Sequence, residues 1–135
     1  MEMRAYAVDQ ASALLRKLVF RVNRAGDLSD PGSIRDLRVA ARRFAQCLRL
    51  FGRLFRAGAS KKVGRRLRKM LKLTAEVRNR DIALQLCAEG GLPSGAKLVS
   101  ELAREREQAG QDLMKQLKRF RKRGLASKWR KRLHL

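Results

Sequence analysis

SIRDLRVAARRFAQCLRLFGRLF, residues 33–55, decides the fold. Its apolar residues Ile34, Leu37, Ala41, Phe44, Leu48, Phe51 and Phe55 alternate by steps of three and four. That spacing puts them on one stripe of an α-helix about six turns long, whereas a half-buried strand would alternate by two. Arg35, Arg38, Arg42, Arg49, Arg53 and Arg56 follow steps of three, four and seven, a cationic stripe beside the apolar one. No acid occurs between Asp36 and Glu76, so these arginines lack the i,i+4 carboxylates that usually offset charge on a helix surface.

The same rhythm extends in both directions. Upstream, Ala11, Leu14, Leu15, Leu18 and Val22 predict a first helix over 4–24, ended by the Gly26–Gly32 segment. The second helix is predicted over 33–57, with two candidate starts: a capping box from Ser33 to Asp36, or Asp30 as N-cap before Pro31. Val63, Leu67, Met70, Thr74, Val77, Asp81 and Leu84 predict a third helix over 60–89, stopped by Gly90-Gly91. Leu98, Leu102, Ala109, Leu113, Leu117 and Phe120 predict a fourth over 94–123, and residues 125–133 a short basic fifth. The expected fold is all-α: one domain, 1–135, built as an antiparallel four-helix bundle with a short C-terminal helix. Lys62, Arg65, Lys69 and Lys72 form a second cationic ladder on the third helix. Two adjacent ladders would clamp a linear run of phosphates, since arginine forks hold phosphate oxygens bidentately and lysines add mobile point charge.

Composition narrows the partner. The net charge is +22 over 135 residues, with 44% hydrophobic and 34% charged residues; that is too apolar for a disordered basic tail. Self-repulsion on this scale calls for something anionic. Two acid-free runs carry most of it, one between Asp36 and Glu76 and one after Asp112.

The motif around these arginines adds a family. Ser33 to Phe44, SIRDLRVAARRF, resembles the CHAD domain, the conserved histidine α-helical domain, whose signature reads approximately H-x-x-R-V-x-x-R-R plus an apolar residue. Thr74 to Ile82, TAEVRNRDI, is similar to the family's L-G-x-x-R-D-x-D-V segment. The resemblance covers nearly the whole chain and matches one N-terminal half of the usual two-bundle domain. It implies binding of inorganic polyphosphate through basic side chains. It carries over to Arg38, Arg42, Arg43, Arg78 and Asp81, with Arg35 in place of the name-giving histidine, Ala45 in place of a further arginine, and Ala75 and Asn79 in place of the Gly and first Asp of the second motif. Arg78 and Asp81 are also readable as a structural pair, because Asp81 falls on the apolar rhythm and needs a partner there. The candidate polyphosphate ligands are Arg35, Arg38, Arg42, Arg43, Arg49, Lys62, Arg65, Lys69, Lys72 and Arg78. A homodimer would rebuild two halves around one polyanion.

No enzymatic activity, cofactor or metal site is expected. His134 is the sole histidine, and there is no GxxxxGK loop or Ser/His/Asp set. Cys47 and Cys87 have no metal or redox spacing. The alternative ligand is nucleic acid, bound nonspecifically through phosphate. Aromatics are 5% of the chain, which is little for the stacking platforms of single-strand binders. Tyr6 and Trp129 lie outside the ladders, and the basic segment 115–132 reads as a candidate nucleic-acid or anionic-membrane arm. No secretory signal or membrane span is apparent, so the expected location is the cytoplasm, in association with polyphosphate granules.

Overall fold

The computed structural model describes residues 2–26 and 30–135, and among these every regular element is helical. They are α1 (Met3–Arg24), α2 (Pro31–Leu50), a 3₁₀ turn (Gly52–Leu54), α3 (Ala59–Glu89), α4 (Lys97–Lys122) and α5 (Leu125–Leu133). Residues 27–29, inside the break expected after the first helix, lie outside the described residues.

Helix ends follow local chemistry. Asp30, not Ser33, caps α2: its carboxylate accepts from the Gly32 N–H at 3.0 Å and from the Ser33 hydroxyl at 3.2 Å, with Pro31 at N1. The second helix stops at Leu50, short of the 57 expected, and the chain tightens into the 3₁₀ turn at Gly52. That turn lets Phe55 bury itself while Arg53 and Arg56 stay outside. The third helix ends in a Schellman motif. Gly91, at φ 80°, allows the Leu92 N–H to reach the Cys87 carbonyl and its own N–H to reach that of Ala88. The fourth helix begins at Lys97, three residues later than read, because Pro93–Ala96 closes a turn first.

Consecutive helices pack side by side: α1 on α2, α2 on α3, α3 on α4. The α2 stripe (Ile34, Leu37, Ala41, Phe44, Leu48) and the α3 stripe (Val63, Leu67, Met70, Thr74, Val77) are buried, and their apolar residues share one core with Ala11, Leu15, Leu18 and Val22 of α1 and Leu113 and Leu117 of α4. The fifth helix closes one end. Trp129, 4% exposed, stacks on Phe44 at 6.1 Å and meets Phe120 edge-on at 5.2 Å. The basic C-terminal segment is thus anchored to the core through Trp129 and Leu133, with its cations outside, and is not a free arm. Arg121 reinforces the closure, donating to the Val22 carbonyl near the C-terminus of α1 at 3.1 Å. Burial also pushes the Cys47 thiol up, which disfavours its reactive thiolate.

At 31 residues α3 outruns the 20 of α2, by about 16 Å at helical rise. The far end of α3 and the start of α4 project as a hairpin that leaves apolar side chains uncovered: Leu86 is 61% exposed and Leu98 52%, while Leu84 and Leu102 are half-buried. Polar contacts clip this hairpin. Arg106 donates to Asp81 at 2.9 Å, both only 14% exposed, and Arg80 to the more exposed Glu105 at 3.4 Å. The partner of Asp81 is therefore Arg106 of α4, not Arg78 one turn away. Gly110 makes room for this: a Cβ there would stand 3.0 Å from Arg106 Nη1. Breaking a buried pair strands the other charge, so Arg106→Ala is expected to cost about 3 kcal/mol in urea unfolding. Gly110→Ala should then stabilise by roughly 1 kcal/mol on the Arg106→Ala background, and by less in the native chain; equal gains in both would refute the coupling.

Candidate polyanion-binding groove

The α2 and α3 stripes bury against each other, which leaves their neighbouring faces to form the walls of an external groove. This recess of about 650 Å³ runs along the N-terminal half of α3. Arg42, Arg49 and Arg53 line one wall, Lys61 and Arg68 the other, and Ala45, Leu48, Gly64 and Leu71 supply small or apolar surface between them. No carboxylate and no aromatic ring is among the lining residues. Gly64, three residues after Lys61 and four before Arg68, leaves the α3 wall without a side chain at that point, and the Arg68 guanidinium lies over it, its Nη1 4.0 Å from where a Cβ would stand.

The ten residues selected from sequence are distributed over several faces. The groove collects Arg42 and Arg49. Arg38 sits at its edge, donating to the Leu71 carbonyl at 3.1 Å, an oxygen that also accepts from the buried Thr74 hydroxyl at 2.8 Å. One of its five donors is thereby used to tie α2 to α3. Arg43 lies on the other flank of α2, in the cleft with α1 beside Lys17, Phe20 and Arg21. Lys62 and Arg65 point into a separate recess against α5. Arg35 is exposed, its Nε 3.9 Å from Asp36; Lys69 and Lys72 are exposed, and Arg78 is half-buried.

The correction on α3 is one of register. One residue earlier than Lys62, Arg65 and Lys69, the positions Lys61, Gly64 and Arg68 keep the same three-and-four spacing, with cations at two of the three. A one-residue step turns the face by about 100°. The ladder expected at Lys62, Arg65 and Lys69 is therefore rotated away from α2, and Lys61 and Arg68 take the groove position. Arg53, Lys61 and Arg68 were missed as site residues; Gly64 was the signal that could have found the right face. Trp129, read as lying outside the ladders, in fact lines the recess with Lys62 and Arg65, but it is buried.

The family model for the CHAD domain matches residues 9–135. The chain belongs to the CHAD-domain family. No curated protein and no solved structure matches it. Within this CHAD domain, the Arg-Arg pair of the signature is split by helix geometry, with Arg42 in the groove and Arg43 on the α1 side. Among the described residues no helix is long and apolar enough to cross a membrane.

Groove-lining and tethering arginines should separate in stability measurements. Arg38→Ala is expected to lose about 1–2 kcal/mol, because its bond to a partly buried carbonyl disappears. Arg42→Ala, which relieves like-charge repulsion, should unfold at the same or a higher urea concentration. Equal destabilisation of both would remove the distinction.

Proposed function

We propose that this CHAD domain is a non-enzymatic binding module for inorganic polyphosphate, held in the groove between α2 and α3. The supporting observation is the groove itself: five cations from two helices and the intervening 3₁₀ turn face one elongated recess whose lining includes neither acid nor aromatic ring. Polyphosphate carries charge on every unit and offers no base to stack, so it matches such walls. Nucleic acid would engage the same cations, but single-strand binders add stacking surfaces. On this reading Arg42, Arg49, Arg53, Lys61 and Arg68 are the principal ligands, with Arg38 contributing from the edge. Association with polyphosphate granules would follow from the ligand alone.

Competition distinguishes the ligands. Polyphosphate should displace bound RNA or duplex DNA at equal phosphate concentration, and the reverse exchange should be inefficient; the opposite order would assign the groove to nucleic acid. Arg42→Glu with Arg49→Glu should weaken polyphosphate binding by roughly tenfold or more per residue, as expected for loss of charge-assisted bonds, with helicity unchanged by circular dichroism. Both ligands would lose affinity with salt, so salt dependence is no discriminator.

Supporting a homodimer are the projecting hairpin's exposed Ile82, Leu86, Leu92 and Leu98. Residues 76–112 contain seven acids and five bases, so two copies could meet there without the repulsion that the rest of the chain imposes. The helices would then complete a bundle between protomers. Light scattering should report a dimer that Leu86→Lys with Leu98→Lys converts to a monomer, with polyphosphate binding retained; a monomeric native chain, with and without polyphosphate, would refute the assembly.

A further inference from the structure

On the next flank of α3 round from the groove, α5 folds back to bound a second recess of about 380 Å³. Its lining includes Lys62, Arg65, Arg66, Arg123, Lys128 and Arg132, with no carboxylate. Three of these cations come from α3, one from the α4–α5 corner and two from α5, and the fold brings them together across more than sixty residues of chain. Burial of Trp129 and Leu133 drives that approach, at the expense of setting like charges face to face. The corner adds to the positive field. Gly124, at φ 58°, is the N-cap of α5 and has no side chain to cap the helix, so the first amides of α5 open beside Arg123 and Leu125.

We propose that this α3/α5 recess is a second phosphate site, one that takes a compact cluster of phosphates such as a short oligophosphate or the end of a long chain. The ligand class rests on the reading of the groove as a polyphosphate site; the location does not. Lys61 lines the groove and Lys62 the recess, so the two sites back onto each other across the first turn of α3. A long chain passing over that turn would engage both, whereas a short one would occupy each separately. Trp129 lines the recess yet is 4% exposed. It therefore offers no open face to a nucleobase, which favours a base-free ligand.

Trp129 is the chain's single tryptophan, so its emission reports on this recess and not on the groove. The probe is inorganic tripolyphosphate, titrated into the full chain by calorimetry and by Trp129 fluorescence, with long-chain polyphosphate as a second arm. Two tripolyphosphates are expected per native chain. Arg42→Glu with Arg49→Glu should remove one and leave the fluorescence change intact. Lys128→Gln with Arg132→Gln should remove the other together with the fluorescence change, raise the melting temperature of the ligand-free chain, and lower long-chain affinity at least tenfold. The rise in melting temperature also shows that the α5 variant still folds. One tripolyphosphate per native chain, unaffected by the α5 variant, would overturn the second site. Insensitivity to the groove substitutions alone would overturn the groove and leave the recess standing; no binding to the native chain would overturn both.

Discussion

The apolar seam between α2 and α3 is the contact on which the other features rest. Ile34, Leu37, Ala41, Phe44 and Leu48 meet Val63, Leu67, Met70 and Val77 with almost no residual exposure. Both helices are strongly cationic, and apart from the Arg38 bond to the Leu71 carbonyl their charges would keep them apart. Hydrophobic burial, about 1.5–3 kcal/mol for each large side chain removed from water, holds them at packing distance. Once the seam is set, each helix has only its flanks left for its cations. The flanks that face each other become the groove, and the remaining α3 flank is the one α5 covers.

Acids are placed where charge has to be cancelled to hold structure. Asp81 pairs with Arg106 and Glu105 with Arg80 along the projecting α3–α4 hairpin, where the α1 and α2 cores do not reach. Asp36 stands near Arg21 across the α1–α2 contact at 3.5 Å. The groove and the α5 recess, by contrast, have no carboxylate among their lining residues. The segregated charge seen in sequence thus becomes a division of space: paired charges along the hairpin and in the α1–α2 cleft, uncompensated cations in the groove and the α5 recess.

Much of the fold is legible from periodicity, because the three-and-four spacing of Ile34 to Leu48 and of Val63 to Val77 states which face is buried whatever it packs against. The distal rhythm is as regular but only partly covered, Leu84 half-buried and Leu98 exposed, since coverage depends on the length of neighbouring helices. The site was only half legible. On α2 the cationic stripe beside the apolar one is unique, and Arg42 and Arg49 stand where it places them. On α3 the Lys/Arg doublets permit two registers, and the choice belongs to whichever side α2 occupies. The pairing of Asp81 was similarly open: the need for a partner follows from its apolar surroundings, but Arg106 lies 25 residues away.

By itself the sequence determined helices, their buried faces, the family and the excess of positive charge, all of which arise from local spacing and composition. Tertiary structure alone decided which cations share a recess. The reason is geometric. A residue's position on its own helix is set by a rotation of about 100° per step, but the groove it faces is set by neighbours distant in the chain. Hence Lys61 and Lys62, adjacent in sequence, serve different flanks of α3, and the cations of α5, legible in sequence only as a short basic helix, stand against α3 because Trp129 is buried beneath them.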